Sequence, residues 1–284
     1  RSLTHWIGGM GVLVFVMMLT SLDDKGAMHL MRAEVPGPEA DKLVPKARST
    51  AKILYAMYFA LTAVEVVFLL FGGMNLYDSV MHAFSTAGTG GFSNRNASVG
   101  YYDSAYIDGV ITVFMILFGI NFNLYYLMLL KHFKEAFENE ELKTYLGIIA
   151  GAVAIITINI SSMYGSVLKA FRYAAFQVAS VITTTGFCTA DYNLWPELSK
   201  SVLLAIMVVG ACAGSTGGGI KVSRVIMMLK SVKRELNAYL HPKSVRTIKM
   251  EGKALDQGAI SSVAVYFITF TLIFAVSFLL VALE

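Results

Sequence analysis

The sequence predicts an all-α polytopic membrane protein assembled from repeated units, each a span, a half-length helix, a polar strip and a second span. Composition is the first observation: 56% of the 284 residues are hydrophobic, 15% are charged, and mean hydropathy is +0.62. Soluble domains average roughly 45–50% apolar and about 25% charged residues. The second observation is grouping, because the apolar residues fall into blocks near the roughly 20 that one bilayer crossing requires. The third is a pair of polar, glycine-bearing strips set between those blocks, STAGTGGFSN (85–94) and ITTTGFCTADY (182–192).

Taken in order, the spans are read at 6–20, 51–74, 105–130, 144–161, 198–228 (interrupted) and 258–283. Lysine and arginine are unequal among the connectors. Those around 21–52, 131–143 and 221–253 hold eighteen basic residues, Lys25, Arg32, Lys42, Lys46, Arg48 and Lys52 among them. The segments 75–103 and 162–200 hold only Arg95, Lys169, Arg172 and Lys200. The positive-inside rule puts the first set in the cytoplasm and both polar strips on the outer side. The chain opens on RSLTHWIGG without a methionine and closes at Glu284 directly after an apolar run, so it reads as an internal piece of a longer chain. The two cysteines, Cys188 and Cys212, lie in different segments and make neither a metal nor a disulfide framework.

YDSVMHAFSTAGT (77–89) and VLKAFRYAAFQVASVITTT (167–185) are helical in pattern, moderately apolar and too short to span. Such segments read as re-entrant helices. An offset of 95 residues superposes Ser85 on Ser180, Thr89 on Thr184, Gly91 on Gly186 and Phe92 on Phe187. The order of elements around them also recurs, which marks an internal parallel repeat. The resulting division is 1–20, last helix of a preceding repeat; 21–50, cytoplasmic connector; 51–135, a pore-loop repeat with its strip at 85–94. Residues 136–230 form the next repeat, with its strip at 183–189 and a broken inner helix at 210–221; 231–255 form a second cytoplasmic connector, and 256–284 the first helix of a following repeat.

Irregular backbone at membrane depth persists only where protein or a water-filled cavity surrounds it. Thr89, Gly90, Gly91 and Phe92, with Thr184, Thr185, Gly186 and Phe187, offer carbonyl and hydroxyl oxygens and carry no carboxylate. Neutral oxygens of this kind replace the hydration shell of an alkali cation, and glycine permits the φ values that aim carbonyls at an axis. The C-terminal end of each preceding half-helix adds a partial negative charge. The missing carboxylates argue against a calcium or magnesium site. The competing reading is that the strips are tight turns that serve packing alone.

The span 198–228 contains GACAGSTGGGIK, with Gly210, Gly214, Gly217, Gly218 and Gly219 around Ser215 and Thr216. Glycine costs about 1 kcal/mol in a helix interior relative to alanine, so the helix is predicted to break there. The phosphate-loop pattern fails, because Ile220 follows Gly219 and Lys221 comes one place late. A hinge or plug beneath the strips, or close helix packing through small residues, fits the segment. Glu65, mid-span in YFALTAVEVVFLL, is a candidate intramembrane relay or a carboxylate bonded to a neighbouring helix. Asn121 and Asn123 read as interhelical hydrogen-bonders, Arg172 as an outer-face anchor, and His82 as packing behind its strip. The five histidines are too scattered for a metal site, and Ser–His, HExxH and paired-aspartate patterns are missing from the spans, so an enzyme is not expected. The basic stretch 230–249 suits anionic lipid, an acidic partner, or plain solvation.

RSLTHWIGGMG (1–11), HAFSTAGTGGFSN (82–94), ASVITTTGFCTADYNLWP (179–196) and GACAGSTGGGIKVSR (210–224) together resemble the TrkH/KtrB family of bacterial potassium transporters, relatives of the Trk/HKT proteins. The resemblance runs over essentially the whole chain. It implies four helix–pore-loop–helix repeats around one potassium-channel-like pore, of which this chain holds the second and third with parts of the first and fourth. It implies one filter glycine per repeat, here Gly91 and Gly186, with K⁺ as the ion held by the filter residues. The 210–219 segment would be the intramembrane gating loop. It further implies a multi-pass protein of the bacterial cytoplasmic (inner) membrane, surrounded by lipid, working as a homodimer with a cytosolic nucleotide-binding ring of the TrkA/KtrA kind; nucleic acid is not an expected partner. The alternatives are a proton- or sodium-coupled K⁺ symporter using Glu65, and a non-conducting assembly subunit. Two of four pore quarters would not close a filter by themselves.

Overall fold

The computed structural model describes residues 1–11, 47–241, 247–251 and 253–283. Most of the 6–20 span and of the 21–50 connector, with residues 242–246 of the second connector, therefore lie outside the described residues. The chain is an all-α membrane protein, and its one small sheet is the two-stranded pair β1 (Lys249–Met250) and β2 (Lys253–Ala254). Among the described residues, three helices are long and apolar enough to cross a membrane: α2 (Ala47–Phe71), α7 (Glu140–Tyr164) and α11 (Gln257–Val281). Their outward faces carry large exposed apolar side chains such as Phe59, Val67, Ile155, Ile158 and Leu272. A surface of that kind suits lipid rather than water.

One unit runs from Arg1 to Val222. It holds α1 (Ser2–Gly9), α2, α3 (Leu76–Ala87), α4 (Ala105–Phe118), α5 (Phe122–Leu129), α6 (Phe133–Glu138), α7, α8 (Val167–Ile182) and α9 (Glu197–Val209). Short polar residues start these helices by accepting orphan backbone N–H groups. The Asn75 side chain accepts from Asp78, Ser104 from Ile107, Asn121 from Asn123 and Asn139 from Leu142. α7 stops at Gly165, whose φ of 61° is left-handed.

The short helices α3 and α8 have 12 and 16 residues, at the two places where the sequence predicts half-length segments. α3 packs against α1 and α2; α8 packs against α4, α7 and α9. A shared core joins the two halves of the unit. Leu69, Met74, Ala83, Ile107, Ile111 and Met115 pack with Phe176, Ala179 and Phe187.

The stretch 105–130, read as one span, is two helices. α4 and α5 are bent by 91° at the break between them. The sequence reading missed this because Gly119, Ile120 and Asn121 hold a single glycine among apolar neighbours, too weak a local signal for a break. The second unit, Ser223–Glu284, holds most of α10 (Val222–Leu240), the β pair and α11. Its small core is Met227, Met250 and Val263, and the Arg224 guanidinium lies 3.8 Å from the Tyr266 ring centroid.

Tyr58 anchors the first half of the unit. It is fully buried, its hydroxyl donates to the Trp6 carbonyl at 2.9 Å, and its ring stacks on Trp6 while Phe118 and Phe122 meet it edge-on. Tyr58→Phe, which deletes one hydrogen bond, is expected to cost about 1 kcal/mol. Tyr58→Ala, which empties the ring's place, is expected to cost about 3 kcal/mol or more. Thermal unfolding in detergent should rank wild type above Phe and Phe well above Ala; equal midpoints for the two variants would remove the ring from the core's support.

Candidate functional site: two polar strips and the glycine loop

The strips that follow α3 and α8 share one backbone course, 95 residues apart. Gly88 N–H donates to the Phe84 carbonyl (3.0 Å), Thr89 to Thr86 (3.0 Å) and Gly90 to Ser85 (2.7 Å). Thr183 N–H donates to Ala179 (3.2 Å), Thr184 to Val181 (3.1 Å) and Thr185 to Ser180 (2.9 Å). Each donor and acceptor of the first set has its offset partner in the second. Thr89 and Thr184 both have positive φ (50° and 58°), as do Gly91 (63°) and Gly186 (88°). For a β-branched residue that is a rarely populated conformation, and it occurs twice at matched positions.

The strips meet. A Cβ placed on Gly91 would collide with the Thr185 carbonyl and the Gly186 backbone, whereas a Cβ on Gly186 would meet nothing within 4 Å. Gly100 N–H also donates to the Cys188 carbonyl, and Cys188 N–H to Ser98 Oγ, which ties the connector after the first strip to the second. The Phe187 side chain is fully buried and stacks on His82, and its carbonyl accepts from Ser180 Oγ at 2.7 Å; Phe92 is half-buried and meets His5 edge-on. His82 is buried behind the strip, with Nε2 3.0 Å from Ser93 Oγ.

The loop from Gly210 to Lys221 interrupts what would be one helix, with α9 ending at Val209 and α10 starting at Val222. Gly210, Gly214 and Gly219 all have left-handed φ. The loop is tied to both strips at their matched threonines: Thr89 Oγ1 donates to the Thr216 carbonyl at 3.0 Å, and Thr184 Oγ1 accepts Gly218 N–H at 2.8 Å. It is tied equally to the break between α4 and α5. Cys212 N–H donates to the Gly119 carbonyl (3.0 Å), Phe122 N–H to Gly214 (3.0 Å), and Thr216 N–H to Phe118 (3.3 Å). Ala213 N–H donates to Glu141 Oε1 at 2.7 Å, and Lys221 Nζ donates to the Gly217 carbonyl.

A sequence profile described as TrkH, cation transport protein, matches residues 1–284. The chain belongs to the TrkH family. It is 38% identical over 283 residues to the Trk system potassium uptake protein TrkH of Salmonella typhimurium, covering 98% of this chain and 59% of that one. With Trk system potassium uptake protein TrkG of Escherichia coli K12 it shares 33% over 288 residues, covering 99% and 58%. The crystal structure of the potassium transporter TrkH from Vibrio parahaemolyticus superposes with a TM-score of 0.84 at 33% identity, over 97% of this chain and 57% of that one. The chain thus spans about three-fifths of the length of these TrkH relatives.

Within the TrkH fold the strip residues Thr89 to Phe92 and Thr184 to Phe187, and the loop residues Gly210 to Gly219, come together as one connected group. The Ser215 hydroxyl donates to the Cys212 carbonyl inside the loop, while the Thr216 hydroxyl donates to the Phe118 carbonyl of a neighbouring helix. Asn121 caps α5 and lies against Gly214 rather than bridging helices through its amide. Glu65 is fully buried in α2, and its polar neighbour is the Thr86 side chain of α3.

The sequence reading missed the acids that brace the chain around the two half-length helices. Asp78, buried in the first turn of α3, accepts from Arg95 (2.9 Å), Tyr102 (2.7 Å) and Asn94, residues just beyond the strip. Arg172 donates to buried Asp108 at 2.7 Å and to Asp103 at 3.2 Å, so it is a cross-link rather than a simple surface anchor. Burial alone would raise the Asp78 carboxyl, but hydrogen bonds from Tyr102, Arg95 and Asn94 outweigh it and lower it from 3.8 to about 2. A carboxyl so lowered adds stability that is full above its ordinary value and is lost as pH falls through the bound one. Thermal stability in detergent should therefore fall between pH 3.8 and about 2 in the wild type. Asp78→Asn should flatten that limb of the pH profile, and an unchanged limb would show that Asp78 does not titrate there.

Proposed function

We propose that this chain supplies two quarters of the selectivity filter, and the gating loop, of a bacterial potassium-uptake pore. The observation that carries this reading is the contact between two strips of matched left-handed backbone, with a glycine loop bonded to the matched threonine of each. Neutral oxygens held on such a course suit a dehydrated alkali cation. The Trk relatives are named for potassium uptake, which supports K⁺ as the ion. On this reading 51–135 and 136–230 are two pore-loop repeats, 1–20 ends a preceding one and 256–284 begins a following one. The strips open outward and the basic connectors face the cytoplasm of the inner membrane. The working assembly is a homodimer that docks a cytosolic nucleotide-binding ring. A coupled symporter through Glu65 is the weaker reading.

The two strip glycines should respond differently to substitution in the full-length protein. At Gly186 a serine meets open space, so its cost is that of a left-handed φ, about 1–2 kcal/mol. Gly186→Ser should fold and lose preference for K⁺ over Na⁺, whereas Gly91→Ser should fail to fold because its Cβ strikes the opposite strip. Relative permeability in planar bilayers checks the first and expression the second. Unchanged selectivity in a folded Gly186→Ser would take Gly186 out of the filter.

Deleting residues 214–218 removes both threonine tethers of the loop. The expected result is faster isotope uptake into vesicles from protein that remains folded. Equal or slower uptake would make the segment a packing element.

A further inference from the structure

We propose that Glu141 latches the glycine loop in its closed position, as a positioning residue that touches no ion. The inference rests on the reading of the loop as a gate and adds what holds that gate shut. Residues 212, 213 and 214 are consecutive, and each is anchored outside the loop. Cys212 and Gly214 bond to the break between α4 and α5, and the Ala213 amide bonds to the Glu141 carboxylate. The first two are neutral backbone bonds. The third ends on a carboxyl group in the first turn of a helix, where negative charge is favoured, and bonds to a carboxylate are roughly twice as strong as neutral ones. Lys221 also makes a charge-assisted bond, but its Gly217 acceptor lies within the loop, so that bond travels with the loop when it moves.

The placement of Glu141 explains how a buried acid is tolerated at this depth. It is 4% exposed and lies in the first turn of α7, one residue after Glu140 and two after the capping Asn139. The unpaired N–H groups of a helix N-terminus stabilise negative charge there. The long span α7 is thus a fixed post, and Glu141 is its contact with the loop. For the loop to leave the strips, the Thr89 and Thr184 tethers and the Ala213–Glu141 bond must open together, because Ala213 and Thr216 are only three residues apart on one short segment. Removing the carboxylate takes the strongest of these restraints from the closed state and shifts the population toward the open one.

Cys212, fully buried beside Ala213, is a built-in reporter of that movement. The experiment uses the full-length protein in vesicles, as wild type, Glu141→Ala, Glu141→Gln and the 214–218 deletion. A water-soluble maleimide is the probe, with labelling read peptide by peptide to separate Cys212 from Cys188, and rubidium uptake is measured on the same vesicles. Glu141→Ala is expected to label at Cys212 roughly tenfold faster than wild type and to raise uptake, with Glu141→Gln between the two, since its amide oxygen keeps a weaker acceptor. A wild-type labelling rate in folded Glu141→Ala, while the deletion raises uptake, overturns the latch and leaves the gate standing. Faster labelling without faster uptake keeps the latch and overturns the gate. Should Glu141→Ala not fold, Glu141→Gln decides alone: several-fold faster labelling supports the latch, and a wild-type rate overturns it.

Discussion

Inside a bilayer, a backbone N–H or C=O that leaves its helix must find a partner within the protein. That constraint organises the region between Gly119 and Lys221. Two helices break there, after Phe118 and after Val209, and each break supplies what the other lacks. The carbonyls freed at Phe118 and Gly119 accept from Thr216 and Cys212, and the amide freed at Phe122 donates to Gly214. A single break of this size would leave several unpaired groups, each costing several kcal/mol in hydrocarbon. Paired, the breaks form one polar seam through apolar packing, and the strips rest on that seam.

Threonine is suited to the junction between seam and strip. A hydroxyl both donates and accepts, and the matched residues use opposite capacities: Thr89 gives its proton to the Thr216 carbonyl, and Thr184 receives the Gly218 amide. The duplicated strips can therefore hold a loop that is not itself duplicated. The left-handed φ at both threonines costs about 1–2 kcal/mol each. Such a conformation is kept only where surrounding bonds over-determine it, as the tethers and the turns after α3 and α8 do here.

Charge is kept out of Thr89–Phe92 and Thr184–Phe187 and used to brace them. Asp78 gathers Arg95, Asn94 and Tyr102 around the chain leaving the first strip, and Asp108 with Asp103 pins Arg172 on α8. Glu141 repeats that logic beneath the loop.

The sequence by itself determined the apolar spans at 51–74, 144–161 and 258–283, the two half-length helices and the break at 210–221, because each is written in a local signal. Spans follow from runs of apolar residues, α3 and α8 from runs too short to cross, and the loop from glycines dense enough to forbid helix. It also determined which strip residues correspond, since Ser85, Thr89, Gly91 and Phe92 recur at one offset. Only the tertiary structure decided that α4 and α5 part at 91°, that Phe187 turns its ring into the core, and that Glu65 lies beside Thr86 of α3. It alone found Glu141 and the paired breaks. The reason is range: Thr216 answers Phe118 across 98 positions and Ala213 answers Glu141 across 72. A hydrogen bond at that separation leaves no periodicity in the chain, because its partners are chosen by packing after the helices have formed.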